Sequence, residues 1–297
     1  MTVVTQQAAP DILIVDAEHA IHRAYYAYEH LHTSIGVLSG AFYGFLAIVQ
    51  RQVESLVPSC VVLVWGHPNS GKQRKQSCSE YKANRVRDPR LYKQMDDLKS
   101  FLACMGWWQV YNDEGWEADD VIATLTHQYE DKCKIVILSG DHDFFQLIND
   151  NVHCLRPGLG KTPDKMFDRA AIIAEYKGIP PEQLADLYAM TGDETDNVIG
   201  VPGIGITKAA KLLADNGPIA KWFNAMDSIH ATKYIKETLP QYRDILVRNK
   251  KLVSLKITNV TVREIPAQID KDAAALILDK YEIKKFTVDN FLMAEST

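Results

Sequence analysis

The acidic residues of this chain that could do chemistry lie in four short clusters, each beside an apolar run. Asp16 ends the run 12–15, and Asp141 with Asp143 follows the run 135–138. The full set is Asp16; Glu117, Asp119 and Asp120; Asp141 and Asp143; and Asp193 and Asp196. Because open α/β sheets place their sites at the carboxyl ends of parallel strands, we expect these side chains to share one crevice. Such a cluster repels itself unless hard cations lie among its oxygens, so the pattern predicts a divalent-metal site for phosphodiester chemistry.

Each cluster also has a purely structural interpretation. Asp119 and Asp120 could stabilise the N-terminal dipole end of a helix. Asp193 and Asp196 could cap a turn. The occurrence of four clusters in the same strand or turn context favours the metal site over four unrelated structural roles.

A basic segment follows the second apolar run, although the chain as a whole carries a net charge of −5. Residues 72–93 hold eight lysines and arginines against two acids, a local excess large enough to hold a phosphate backbone. Within this segment Tyr81 could stack on an unpaired base while Lys82 and Arg85 clamp the adjacent phosphate. The alternative for the segment is a solvated charged loop.

Residues 66–72 match the pattern G-x-x-x-x-G-K of a nucleotide-binding loop. The next residue is Gln73, where such a loop needs a Ser or Thr hydroxyl to hold magnesium. The residues that follow, 74–77, show no apolar helical face. The match therefore does not indicate ATP binding.

A glycine-rich turn in the second half is typical of a helix-hairpin-helix motif, which we place at residues 196–215. Gly203 and Gly205 would let backbone amides approach a phosphate, and the following helix adds its positive dipole end. Lys208 and Lys211 lie one helical step apart and could face the same DNA backbone. This arrangement holds duplex DNA without reading its sequence. The alternative is a helix-helix turn with a buried Ala/Leu face.

Composition places the chain among ordinary soluble proteins, with 297 residues of which 46% are hydrophobic and 24% charged. The longest apolar stretch, residues 40–49, is too short to cross a bilayer, and residues 1–10 lack the pattern of a signal peptide. The five cysteines are widely spaced and form no C-x-x-C pair, which favours reduced thiols in the cytoplasm.

Runs of β-branched residues alternate with helix-like segments, which predicts an α/β fold: a three-layer, mainly parallel sheet flanked by helices. The predicted strands are 12–16, 61–65, 109–111, 134–139 and 152–155, and the predicted helices are 40–56, 91–105, 118–129, 169–177, 181–190, 207–215 and 241–255. The strand signal fades after about residue 168. We therefore expect an α/β domain at 11–165, with an arch segment near 82–95, and a helical DNA-binding subdomain at 166–297.

These motifs together resemble those of the 5′ nuclease (flap endonuclease) family, which includes phage 5′-exonucleases and the N-terminal domain of bacterial DNA polymerase I. The resemblance runs in family order across roughly residues 12–255. The matching blocks are Val15-Asp16 with Arg23, Tyr81-Lys82-Ala83-Asn84-Arg85, Glu117-Ala118-Asp119-Asp120, Asp141-His142-Asp143-Phe144, Gly192-Asp193-Glu194-Thr195-Asp196-Asn197 and Gly200-Val201-Pro202-Gly203-Ile204-Gly205.

The resemblance implies two divalent cations, magnesium or manganese, and DNA with a free 5′ end or 5′ flap as the partner of a monomeric enzyme. It assigns Asp16, Glu117, Asp119 and Asp120 to the first cation, and Asp141, Asp143, Asp193 and Asp196 to the second. Lys82 and Arg23 would contact the scissile phosphate, beside Asp16 and Asp120 in the catalytic centre. Tyr81 would stack on the terminal base, the stretch after Arg85 would form the arch, and the hairpin turn would hold a potassium ion.

One position departs from the family pattern. The family carries an aspartate fourteen residues before the tyrosine that corresponds to Tyr81. In this chain that position is His67. An imidazole carries no negative charge and is a poor magnesium ligand, so the composition of the first metal site is open at this point. His67 leaves open one alternative to a nuclease, a structure-specific DNA-binding protein with an impaired metal site. A metal-dependent nuclease of the same type that cleaves RNA is a second alternative, independent of His67.

Overall fold

The computed structural model of the chain describes residues 9–83, 88–158, 160, 162–224, 226–257 and 260–291. The described strands are β1 (Ile12–Asp16), β2 (Cys60–Val64), β3 (Trp108–Tyr111), β4 (Ile135–Leu138), β5 (Val152–Arg156), β6 (Lys165–Phe167), β7 (Gly192–Asp193), β8 (Val198–Ile199) and β9 (Arg263–Ile265). The described α-helices are α1 (Ala17–Ala27), α2 (Gly40–Leu56), α3 (Lys72–Ser77), α4 (Pro89–Cys104), α5 (Ala118–Tyr129), α6 (Arg169–Glu175), α7 (Leu184–Thr191), α8 (Ile206–Asn216), α9 (Lys233–Thr238), α10 (Arg243–Val253) and α11 (Lys271–Lys280). None of these helices is long and apolar enough to pass through a bilayer.

Seven strands form one sheet in the order β6-β5-β4-β1-β2-β3-β9, while β7 and β8 form a separate two-stranded ribbon. The five central strands are parallel, and β6 and β9 are antiparallel edge strands. The central strands are β-branched and apolar throughout because both of their faces are covered. In the register of the sheet, Asp16 pairs with Val64 and Val15 with Leu138, so these strands end at one common edge.

Two apolar cores lie on opposite faces of the sheet, and successive residues of β1 alternate between them. Ile14 packs into the core that contains α5 and the helical second half of the chain. Leu13 and Val15 pack into the core formed with α1, α2, α4 and α11. The predicted fold class, a three-layer and mainly parallel α/β architecture with an attached helical region, is therefore confirmed.

The C-terminal part of the chain packs on the sheet of the α/β domain. The expected division at residue 165/166 had placed all of this part in the helical subdomain. β9 pairs with β3, and α11 and its C-terminal loop fill the core beside α2, where the Tyr281 ring stacks on Phe42 with centroids 4.7 Å apart. β6 itself spans the expected boundary. The sequence did not signal β9 because its three residues sit on an exposed edge and form no apolar run.

Candidate active site and nucleic-acid interface

The carboxyl ends of β1 and β4 bring the first two acidic motifs together. The Ser139 hydroxyl donates to Asp16 Oδ2 at 2.8 Å and accepts the backbone N–H of Asp141 at 3.0 Å. The other oxygen of Asp16 accepts the backbone N–H of His19 at 3.1 Å, which caps α1. Ser139 thus joins the loops that carry Asp16 and Asp141.

Asp141 begins the short 3-10 helix His142–Leu147 and accepts the backbone N–H of Asp143 at 2.9 Å. Asp143 Oδ1 is enclosed by protein and has no hydrogen-bond partner among the described residues. Burial, followed by the charge of Asp141, raises the pKa of Asp143 well above its usual range. An enclosed carboxylate oxygen without a donor is costly unless a cation or proton satisfies it.

Carboxylates from separate motifs act on one another across the crevice. Burial, and then the charges of Glu117 and Asp141, raise the pKa of Asp119 well above its usual range despite the opposing effect of Lys82. Burial also raises the pKa of Asp16, with a contribution from Asp141. The mutual repulsion shows that motifs separated by more than a hundred residues in the sequence meet in one place.

The ribbon of β7 and β8 supplies the last acidic motif. Asp193 Oδ1 accepts the backbone N–H groups of Thr195 and Asp196 at 2.8 and 3.2 Å. Asp196 Oδ2 lies 2.8 Å from the Tyr81 hydroxyl and 3.4 Å from Lys82 Nζ. One oxygen of Asp193 therefore caps its own turn, as the structural interpretation required. The Asp196 carboxylate contacts Tyr81 and Lys82 instead.

Lys82 stands among the carboxylates as a largely buried cation. Its Nζ lies 2.7 Å from Glu117 Oε1 and 3.9 Å from Asp119 Oδ2. The residue has a left-handed backbone conformation, with φ of +52°, and its N–H donates to the Asp196 carbonyl at 3.1 Å. This conformation is unfavourable for a residue with a Cβ, so the turn holds Lys82 in place at some cost.

Asp120 is paired with Arg74. The Arg74 guanidinium donates to both oxygens of Asp120, at 2.6 and 2.8 Å, and to Glu117 Oε2 at 2.8 Å. Asp120 also accepts the backbone N–H of Lys256 at 2.9 Å and is fully buried. The structure therefore does not bring Asp120 among the predicted metal ligands, because its acceptor sites are taken by a bidentate arginine and by backbone donors.

Arg74 is the residue that the sequence did not single out. It lies on α3, counted there only as one charge of the basic segment, and its Nε donates to the Leu252 carbonyl at 2.9 Å. Burial opposes its charge, but the hydrogen bond and charge of Asp120 outweigh burial and raise the pKa of Arg74. Neither residue type nor spacing could assign this role, since its partners lie tens to well over a hundred residues away.

Tyr81 also differs from its predicted role. Its ring is only 3% exposed, and its hydroxyl lies between Glu117 Oε2 at 2.9 Å and Asp196 Oδ2 at 2.8 Å. Burial, and then the charge of Glu117, raise the pKa of Tyr81, so the hydroxyl stays protonated and can donate. An enclosed ring offers no face to a base, and the hydroxyl instead supports two acidic motifs.

The remaining predicted residues of this region take three different positions. Arg23 lies beside the loop after β4, since a Cβ on Gly140 would stand 3.2 Å from its Nη1. His67 stacks on Tyr111 with centroids 5.5 Å apart, and its Nδ1 accepts the Asn69 N–H at 3.2 Å. Arg85 and the neighbouring residues 84, 86 and 87 of the expected arch lie outside the described part of the chain.

The hairpin turn leads directly into α8. Gly203 has φ of +77°, a conformation that favours glycine, and Gly205 precedes the first residue of the helix. Lys208 Nζ donates to the Gly203 carbonyl at 2.8 Å, and Lys211 is exposed. The turn lines an open groove of about 700 Å³. The opposite face of α8 is buried through Ala209, Ala210, Leu212 and Leu213, as the structural interpretation of the motif requires, and the binding of DNA by the exposed face stays a prediction.

Two family models match nearly the whole chain. The model of the 5′-3′ exonuclease N-terminal resolvase-like domain matches residues 11–177, and that of the 5′-3′ exonuclease C-terminal SAM fold matches residues 179–276. This chain belongs to the 5′-3′ exonuclease family. The predicted family is therefore confirmed.

The relatives by sequence are much longer proteins. DNA polymerase I of Mycobacterium bovis is 31% identical over 276 residues, which cover 91% of this chain and 29% of that protein. DNA polymerase I of Bacillus caldotenax is 31% identical over 268 residues, 89% of this chain and again 29% of the relative. The chain thus spans less than a third of these polymerases.

Solved structures share the fold at low sequence identity. The phage T5 D15 protein with metal ions is 20% identical, with a TM-score of 0.65, over 95% of this chain and 98% of that one. A variant of the T5 flap endonuclease in complex with DNA and metal ions is 18% identical, with a TM-score of 0.63, over 95% and 96%. Human GEN1 with Holliday junction DNA is 16% identical, with a TM-score of 0.56, over 95% and 70%.

Proposed function

We propose that this protein hydrolyses DNA phosphodiesters at or near a 5′ end, as an exonuclease and as a flap endonuclease, with two divalent cations, magnesium or manganese, in the carboxylate crevice. The supporting observation is the enclosed oxygen of Asp143, which lacks a donor in a site where Asp16, Asp119 and Asp143 all have raised pKa values. Oxygen ligands with high negative charge suit hard cations. The donor set therefore fits the metal that the family implies.

In this proposal Asp16 and Asp119 would hold the first cation and Asp143 and Asp193 the second, and Asp141, whose charge acts on Asp16, Asp119 and Asp143, could serve either. Asp120 supports this set from outside because its oxygens are held by Arg74. Bound cations would activate water and stabilise charge on the attacking and leaving oxygens. Neighbouring protein groups orient two of these ligands: the Ser139 hydroxyl holds Asp16, and the backbone N–H groups of Thr195 and Asp196 hold Asp193.

Lys82 and Arg23 are the cations that we place near the scissile phosphate. Lys82 Nζ is held by Glu117 and Asp196 at 2.7 and 3.4 Å, so its position is set before substrate arrives. Arg23 flanks the Asp141 loop from α1. Such fixed charges contribute most where negative charge develops, in the transition state.

The hairpin is the proposed grip on duplex DNA. Its amides, together with Lys208 and Lys211, would contact the phosphate backbone, with a potassium ion between the turn carbonyls and a phosphate. Lys208 donates to the Gly203 carbonyl, so its ammonium group would have to share that carbonyl with the ion. We place the protein in the cytoplasm, in keeping with its five free cysteines, and expect a monomer.

Cleavage of matched substrates tests this proposal. Purified protein is incubated with magnesium and a 5′-flapped DNA, a blunt duplex with the same sequence, and the RNA counterpart of the flap. Release of products from the 5′ end of DNA, lost in Asp143→Asn and Asp193→Asn, is the expected result. Binding of the flap without any cleavage would indicate an impaired metal site, and preferential cleavage of RNA would overturn the substrate assignment.

A further inference from the structure

His142 lies between the two aspartates of its own motif and reaches the third motif as well. Its Nε2 is 3.9 Å from Asp143 Oδ1 and 3.8 Å from Asp193 Oδ2, while its Nδ1 is 3.9 Å from Asp141 Oδ1. One atom from each of His142, Asp143 and Asp193 lies within 4.8 Å of the other two. No other described group of three histidines, cysteines or carboxylates meets this spacing.

The oxygen nearest His142 Nε2 in this motif is the enclosed Asp143 Oδ1, which has no hydrogen-bond partner among the described residues. The separation of 3.9 Å is too long for a hydrogen bond. It suits two ligands of one ion, because metal–ligand bonds of about 2.0–2.2 Å span up to about 4 Å across the metal. One ion could therefore lie within bonding distance of both donor atoms.

The imidazole is also held in place by an aromatic neighbour on α7. The Tyr188 ring packs edge-on against it with centroids 4.9 Å apart, and the Tyr188 hydroxyl donates to the His142 carbonyl at 3.4 Å. Tyr188 in turn contacts the Tyr176 hydroxyl at 3.0 Å. A ring fixed in this way is oriented before any ion binds, as metal-binding histidines commonly are.

We propose that His142 Nε2 is a nitrogen ligand of the second cation, alongside Asp143 Oδ1 and Asp193 Oδ2, and that it makes this site prefer manganese to magnesium. The proposal rests on the proposed two-metal function. Imidazole binds first-row transition metals more readily than it binds magnesium, whereas carboxylate oxygens serve both. One nitrogen among oxygens therefore shifts selectivity without excluding magnesium.

Nitrogen hyperfine coupling to bound manganese tests this assignment directly, without reference to cleavage. The full chain, freed of metal, is titrated with Mn²⁺ alone and examined by pulsed electron paramagnetic resonance and by calorimetry. Wild type should show coupling to an imidazole nitrogen. His142→Phe keeps the ring that packs on Tyr188 but has no nitrogen, and it should lose that coupling. Its manganese affinity should fall about tenfold or more, with a smaller change for magnesium.

Two further variants make the outcomes distinguishable. His127→Asn removes a histidine that pairs with Glu130 at the other end of α5, and it should leave both measurements unchanged. Asp143→Asn should abolish manganese binding at the second site. If manganese binds, depends on Asp143, and shows no imidazole coupling in wild type, the His142 proposal alone is wrong. If manganese does not bind in a manner that depends on Asp143, the two-metal function fails as well.

Discussion

Two protein cations divide the eight predicted carboxylates into sets with different roles. Arg74 neutralises Asp120 and one oxygen of Glu117, and Lys82 holds the other oxygen of Glu117. Burial raises the pKa of Glu117, but the charges of Lys82 and then Arg74, together with the hydrogen bond of Lys82, outweigh burial and lower it. Asp143 has no lysine or arginine partner in the part of the chain that the structure describes, and its pKa is raised. The residues that need an external cation are therefore those that the protein leaves unneutralised.

This division predicts opposite effects for two single substitutions. Asp120→Asn leaves the buried guanidinium of Arg74 short of a charge partner, so the free energy of unfolding should fall by about 3 kcal/mol, with metal affinity little changed. Asp143→Asn should abolish binding of the second metal while leaving the metal-free protein as stable as wild type or more stable. Chemical denaturation and calorimetry on both variants measure the two quantities. Loss of metal affinity in Asp120→Asn without loss of stability would return Asp120 to the ligand set.

Lys82 is expected to act on turnover more than on substrate affinity. Lys82→Ala removes a charge that is already positioned by Glu117, and the loss should appear mainly where charge develops on the phosphate. We expect kcat to fall by about 100-fold or more, with a much smaller change in the dissociation constant for flapped DNA. Single-turnover cleavage and equilibrium binding separate the two. Normal turnover with weaker binding would show that Lys82 only positions the substrate.

Among the elements, those with strong local signals could be predicted from the sequence. α2 and α5 have the predicted bounds, and β1 ends at Asp16, because each combines an apolar pattern with a clear boundary. α3 could not be predicted, since it has no apolar face and is held by the hydrogen bond from Arg74 to the carbonyl of Leu252 in the last turn of α10. The metal-ligand motifs were visible as residue types, but their division by Arg74 depends on contacts between elements that are distant in the sequence.

The hairpin leading into α8 carries a prediction that belongs to the element as a whole. Replacing both Lys208 and Lys211 by alanine should weaken duplex binding about equally for all sequences. It should also make the slope of log K against log salt concentration shallower by the contribution of about two phosphate contacts. Lys132→Ala is the matched control, because this exposed lysine lies outside the hairpin, between α5 and β4. Fluorescence anisotropy over a salt series gives both slopes. A loss confined to one DNA sequence would indicate base recognition and contradict the hairpin assignment.

At the scale of the whole molecule, the crevice lies at the point where the strand order reverses. From β1 the chain passes to β2 and β3 on one side, and later to β4 and β5 on the other. Ligand sites of open α/β sheets occur at such points, outside the carboxyl ends of the strands. The helical region closes the crevice through the β7–β8 ribbon, and β9 and α11 anchor the end of the chain to the sheet. The concentration of acids in one enclosed place therefore follows from the topology.

The clustering of acidic residues in the crevice should make the metal-free protein less stable as pH rises. Asp16, Asp119 and Asp143 have raised pKa values in the folded state, against about 3.9 in an unfolded chain. At pH values between the unfolded pKa and the raised folded pKa, the folded protein holds protons that the unfolded chain has released. The contribution of these groups to the free energy of unfolding therefore falls as pH rises through this range. Bound magnesium should remove the fall, because it stabilises the deprotonated carboxylates.

Thermal unfolding from about pH 5 to about pH 8, with chelator and with magnesium, measures this linkage. Other groups titrate over the same range, so the decisive quantity is the difference between wild type and Asp143→Asn. With chelator, the variant lacks one group that must lose its proton inside the crevice, so its Tm should exceed that of wild type by an amount that grows with pH. With magnesium the order should reverse, because the variant has lost a ligand. If the Tm curves of the two proteins in chelator are parallel, the pKa of Asp143 is not raised by folding. The electrostatic argument for a cation at Asp143 would then be wrong.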